Sequence, residues 1–195
     1  MATLSNNTNN VMAQDKKYIL LENDTIIDYC RRKLYRIQAV RDFGGVKSGD
    51  LGGYIRGEHN LSHEGTCWVS DNAQVTDDAQ VTDDAQVSDN AQVSDNAVLW
   101  CDAQVYGNAR VSDNAELWSN AQVYGNARVS DHANVYGDAQ VYGDAQVCGH
   151  ANVYDDAQLF DHAQVCDDAQ LCGRSQVGAN ERIGGIMQLF TYIWF

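Results

Sequence analysis

The chain has 195 residues but no proline and only four phenylalanines. Its 44% hydrophobic content is carried mostly by alanine and valine. Such a chain cannot build a broad globular core of large side chains; a long, thin core of small ones is what the composition permits. No apolar run approaches the ~20 residues that a membrane-spanning helix needs, and the closing stretch MQLFTYIWF is too short. The six cysteines, Cys30, Cys67, Cys101, Cys148, Cys166 and Cys172, contain no CxxC pair, which argues against a zinc ribbon. The polar opening MATLSNNTNNVMAQDKK does not read as a secretory signal, so reduced thiols and a cytoplasmic location are expected. Basic residues are scarce as well. Residues 1–56 carry nine Lys/Arg and six Asp/Glu, whereas residues 57–195 carry four and 21, a net of −17. That acidic part repels nucleic acid, anionic membrane and phosphorylated substrates, and attracts basic partners or cations.

What is present is a period of six. Val, Leu or Ile recurs at every sixth position from Val69 to Leu189, and Phe195 completes the phase. Four residues after each aliphatic comes alanine, 17 times without a break from Ala73 to Ala169. Between them lie Asp or Gly and then Asn, Asp or His, residues that favour tight turns and tolerate positive φ. Six is not a helical period, and the turn dipeptides recur too often for a helix. The unit is a short strand and a turn, with the β-branched residue inward and alanine filling a corner that admits a methyl group.

The outward position after each aliphatic gives the size of the coil. Taken every 18 residues it sorts into three rows. One is Ser70, Ser88, Tyr106, Tyr124, Tyr142 and Phe160. The second is Thr76, Ser94, Ser112, Ser130, Cys148 and Cys166. The third is Thr82, Trp100, Trp118, Tyr136, Tyr154 and Cys172. Like stacks on like, the expected pattern of a β-solenoid whose coils repeat at about 4.8 Å. The expectation is an all-β, three-sided parallel β-helix of about seven 18-residue coils over residues 67–195.

This repeat resembles that of the hexapeptide-repeat superfamily, and the resemblance implies a left-handed β-helix. The preceding KLYRIQAVRDFGGVKSGDLGGYIRGEHNLSHEGTCWVSDNA is similar to the leader of hexapeptide-repeat proteins from bacterial and phage or prophage genomes. It implies a protein of a bacterial host cell and supplies no activity. Residues 1–15 read as a disordered tail and residues 16–66 as a small N-terminal β cap. Within that cap, Tyr18–Leu21, Thr25–Tyr29 and Leu34–Val40 read as strands and Phe43–Gly57 as a glycine-rich loop.

Many members of that superfamily are acyltransferases using an acyl-CoA donor, so that activity is the enzymatic alternative. Its candidate bases are His59, His63, His132, His150 and His162; His132 and His150 are 18 apart and should stack, with Asp168 next in the row. The unbroken repeat from Val69 to Val177 leaves no loop to wall an active site, and the acidic surface opposes a phosphorylated cofactor. No catalytic residue, metal or cofactor is therefore assigned.

From Asp71 to Asp168 there are 18 acids and two arginines over about 5.4 coils, roughly one net charge per 1.6 Å of axis at the inter-strand spacing. Duplex DNA carries about one per 1.7 Å. The reading is a non-catalytic acidic binding protein of phage or prophage type, a DNA mimic that inhibits a host nucleic-acid-handling or defence protein, as an anti-CRISPR does. Its expected contacts are Asp71, Asp77, Asp78, Asp83, Asp84, Asp89, Asp95, Asp155, Asp156, Asp167 and Asp168, facing a protein with a basic surface. A purely structural oligomerisation module is the third reading. Self-association is expected through Trp100, Trp118, Tyr136 and Tyr154, through Tyr106, Tyr124, Tyr142 and Phe160, and through Phe190, Tyr192 and Trp194 at the C-terminal end, because two exposed aromatic stripes exceed what a monomer leaves bare.

Overall fold

The computed structural model describes residues 16–191; the expected tail at 1–15, with Tyr192 and Trp194, lies outside them. The alternation of buried valine and outward polar residues makes two-residue strands, recurring every six residues from Trp68–Val69 to Arg182–Ile183. Each pairs in parallel with the strand 18 residues on, as in Val111↔Val129 and Val123↔Val141. Two sheets of seven strands and one of ten result. They are called here the serine face (the second row above, Thr76 to Cys166), the tyrosine face (the first) and the tryptophan face (the third). The fold is an all-β parallel β-solenoid with 18-residue coils.

Corners form because one residue in each turn sits at positive φ. Asp71, Asp95 and Asp131 lie at φ 55°, 60° and 61°, and Gly107 at 72°. The alanine that follows donates its N–H back across the turn, as Ala73 does to Ser70 O at 3.1 Å. Every alanine from Ala73 to Ala169 is fully buried, as are the inward aliphatics of the same stretch apart from Val87 at 1% exposure. The core is the thin column that the composition required, with a larger side chain there inviting overpacking.

The N-terminal region departs from expectation in two places. β1 (Tyr18–Ile27) is one strand with a bulge between Leu21 and Thr25 rather than two, and it pairs antiparallel with β2 (Lys33–Ala39). The expected glycine-rich loop contains β3 (Leu51–Ile55), antiparallel to β2 and parallel to Gln74–Val75. Gly52 and Gly53 are there because a Cβ would meet Ile37 and Trp68 in the first case, and Ala73 O and Val69 in the second, all within 2.7 Å; glycine in a strand marks such close approach. Parallel stacking thus starts one coil earlier than expected. The serine-face sheet holds eight parallel rungs, β3 and the seven two-residue strands after it, for about eight coils instead of about seven. The first coil has two extra residues: Ile55 pairs with Val75 and Leu61 with Val81, both 20 apart.

Candidate functional surfaces

The turn aspartates are more than solvated charges. Ten of them, Asp71, Asp77, Asp83, Asp89, Asp95, Asp113, Asp131, Asp155, Asp161 and Asp167, accept through Oδ2 the backbone N–H of the residue 18 positions on, at 2.9–3.5 Å. In four, a neighbouring hydroxyl donates to the same oxygen: Ser70 to Asp71, Thr76 to Asp77, Ser94 to Asp95 and Ser112 to Asp113. Except in Asp77, Oδ1 of these ten has no protein partner and faces solvent. A second ladder runs beside the first at the corner after the tyrosine face, where Asn72, Asn90, Asn108, Asn126 and Asp144 bond side chain to side chain at 3.0–3.4 Å.

The expected acidic contacts fall on all three corners. Asp71 and Asp89 follow the tyrosine face. Asp77, Asp78, Asp95, Asp167 and Asp168 follow the serine face. Asp83, Asp84, Asp155 and Asp156 follow the tryptophan face. Three already have a partner within the chain. Asp77 is ion-paired to Arg32, with Arg56 at 3.7 Å; burial raises its pKa, but hydrogen bonds from Arg32, Thr76 and the Asp95 N–H outweigh it and hold the carboxyl below its ordinary range. Asp84 accepts the side chain and backbone of Thr66 at 2.7 and 2.8 Å, which lowers its pKa in the same way. Asp156 has Arg174 at 3.7 Å.

The aromatic rows stack as the 18-residue period requires. Tyr106 on Tyr124, Tyr124 on Tyr142 and Tyr136 on Tyr154 have centroids 4.8–5.0 Å apart and planes within 3°. Trp118 lies on Tyr136 at 4.5 Å, and Trp100 meets Trp118 edge-on at 5.8 Å. Phe160 stacks on Tyr142 and lies where a Cβ at Gly178 would be, 2.3 Å from that position, which closes the row. Each ring covers its neighbour, so these side chains are half-buried; Trp100 alone is exposed, at 40%. Burial raises the phenol pKa of Tyr106, Tyr124 and Tyr136. Phe190 falls in the strand Gln188–Thr191, paired with Cys172.

His132 and His150 do stack, at 4.9 Å. His162 Nδ1 lies 3.4 Å from an Asp144 carboxylate oxygen. Among the described residues no group of three or more His, Cys, Asp or Glu side chains is arranged to hold a metal ion. One expectation is corrected: the thiols are not all reduced, because Cys148 and Cys166 form a disulfide across adjacent coils of the serine face, Cα–Cα 4.5 Å. The two cysteines are 18 apart in one outward row, and that spacing was the signal.

Three features carried no periodic signal. Lys17 is fully buried, its ammonium donating to Cys67 O at 2.8 Å, Glu64 O at 3.1 Å and Cys67 Sγ at 3.1 Å. Burial lowers its pKa, while the neighbouring Cys67 thiol is itself pushed up by burial. With the Tyr18 hydroxyl bonded to Leu61 O at 2.7 Å, Lys17 ties β1 to the first coil. The turn after β1 leans over Thr76 and Ser94 and leaves a cavity of about 330 Å³ beneath it. Finally, Arg110 and Arg128 are in-register neighbours on the serine face.

A family model described as the YdcK β-solenoid repeat matches residues 103–115 and 121–137. The matched stretch lies wholly inside the coils, in keeping with the parallel solenoid. No curated protein matches the chain.

Proposed function

We propose that this chain is a non-catalytic binding protein of phage or prophage type, whose acidic corners occupy the nucleic-acid groove of a host defence or nucleic-acid-handling protein. In this reading the coil is left-handed, in keeping with the hexapeptide-repeat resemblance, β1–β3 cap its first coil, and the protein works in the cytoplasm as a homo-oligomer. The observation that carries the reading is the way the acids frame one face. Seven of them (Asp77, Asp78, Asp95, Asp113, Asp131, Asp167, Asp168) line the corner on one side of the tryptophan face, and six (Asp83, Asp84, Asp102, Asp138, Asp155, Asp156) line the other. Four acids stand at the third corner. Two lines of negative charge thus flank a strip of stacked rings, the arrangement of phosphate backbones about stacked bases.

The ladder hydrogen bonds fix the first carboxylate of each turn, so a basic partner meets a preformed array and little ordering entropy opposes binding. Long-range attraction to a basic groove raises the association rate and falls with salt. Competition tests the reading. Bacterial extract is loaded on DNA-cellulose at about 0.15 M salt, and the protein is passed over it. Elution of DNA-binding proteins is expected. A variant with Asp78, Asp83, Asp95, Asp155 and Asp168 changed to Asn, which keeps an acceptor and tolerates left-handed backbone, should elute little. Equal elution by the two proteins would falsify acidic mimicry.

A further inference from the structure

On the serine face each strand presents two outward side chains, an amide or guanidinium before the buried aliphatic and a hydroxyl or thiol after it. Arg110 and Arg128 are exposed, and neither has a carboxylate partner among the described residues. They are the only basic residues between Arg56 and Arg174. Like charges stacked on adjacent strands destabilise a sheet, and glutamine fills the same position in the coils on either side, Gln92 and Gln146. On these same strands Asp113 and Asp131 follow three residues later at the adjoining corner, with Oδ2 taken by the ladder and Oδ1 free. Only the small Ser112 and Ser130 stand between. At the N-terminal end of this face the turn after β1 holds Ile27 65% exposed and Tyr29 fully exposed.

We propose that the serine face is the contact surface for a second copy of this chain, the two copies being related by a two-fold axis parallel to the solenoid. Rotation about that axis preserves the height of each coil and reverses strand direction. Arg110 of each copy then lies over Asp113 of the other, and Arg128 over Asp131, four ion pairs in all. An axis across the solenoid would instead lay arginine over arginine. Spacing favours a second copy over another acidic protein: the arginines stand one coil apart, and so do the free carboxylate oxygens of an identical coil stack. Exposed ion pairs alone hold a dimer weakly; the same axis brings the tips bearing Ile27 and Tyr29 to one level, where they add apolar contact. The aromatic rows, already covered by their own stacking, have less to gain from a partner. The acid lines flanking the tryptophan face include Asp113 and Asp131 but lie mostly outside this contact, so self-association does not depend on the mimicry reading.

Sedimentation velocity at tens of micromolar and about 0.15 M salt tests the pairing, circular dichroism confirming the fold of each variant. The unaltered chain is expected to dimerise. Arg110→Glu with Arg128→Glu, and separately Asp113→Lys with Asp131→Lys, should each raise the dissociation constant roughly a hundredfold from four lost pairs and new repulsion. An equimolar mixture of the two variants should restore a heterodimer. Lysine fits the turn, since Cys101, Ser119 and Ala179 occupy the equivalent position at φ 52°, 58° and 55°. Should the lysine variant not fold, Arg110→Gln with Arg128→Gln, the residue of the flanking coils, carries the test alone and should also weaken the dimer. A monomeric unaltered chain, a dimer indifferent to every variant, or two folded variants that do not pair would each overturn the proposal.

Discussion

Asp131 lets the two roles of the turn aspartates be separated by substitution. Its Oδ2 accepts the Gly149 N–H at 2.9 Å, and its own φ is 61°. Three replacements divide these demands. Asparagine keeps an acceptor and tolerates the left-handed backbone but removes the charge. Glycine keeps the backbone and removes the acceptor. Alanine removes the acceptor and strains the turn. The hydrogen bond is exposed, so its loss costs about 1 kcal/mol, and alanine in the left-handed region costs about 1 kcal/mol more. Asp131→Ala should thus destabilise by about 2 kcal/mol, Asp131→Gly by about 1 kcal/mol, and Asp131→Asn by at most ~0.5 kcal/mol. At low salt the asparagine variant should gain stability, because Asp113 stands one coil away in the same column. Urea midpoints report the global effect. A coil stack need not unfold in one step, so amide exchange at Gly149 is the sharper assay: faster in the alanine and glycine variants, unchanged in the asparagine one. If asparagine exposed the Gly149 amide as much as alanine does, the ladder would not be what protects it.

Two further outcomes follow from the geometry. Reducing the Cys148–Cys166 disulfide, or replacing both residues by serine, should lower stability by about 3 kcal/mol, the chain-entropy value for closing a loop of one coil. Amide exchange confined to the neighbouring coils is the check, and the exchange pattern should stay unchanged in the N-terminal half. Acid should release the turn after β1. The Asp77 carboxyl titrates below its unfolded value, so its stabilisation is present above the unfolded pKa and is lost as pH falls through the folded one. Proteolytic cleavage after Arg31 or Arg32 should rise only below pH ~4, and in an Asp77→Asn variant it should already be fast at neutral pH.

The coils were legible in the sequence because each side chain meets its own counterpart 18 residues away. A local period is then also a contact map, and the rows of serine, tyrosine and tryptophan gave the three faces before any coordinate. What escaped was aperiodic or demanded atoms. β3 hides behind Gly52 and Gly53, which read as loop but are glycine because Ile37, Trp68 and Val69 press on the strand. The two-residue lengthening of the first coil lies between Leu61 and Val69, just ahead of the unbroken repeat. Lys17 reads as part of a polar opening, yet three acceptors bury it. The acid columns were visible, but which oxygen serves the ladder was not.

The same regularity bears on how function is housed here. In a coil stack each unit leans on its neighbours, so an interruption anywhere exposes two sheet edges at once. Selection on such a chain can act cheaply only at outward positions, and those are where its variety is concentrated: serine, tyrosine, tryptophan, arginine and histidine exchange there while valine and alanine hold the core. A surface built this way offers lines of repeated groups rather than a convergent pocket. Acid lines beside stacked rings and a matched pair of arginines and aspartates are recognition elements of that kind. They suit a long partner or a second copy of the same stack better than a small molecule, which needs polar groups aimed at one point.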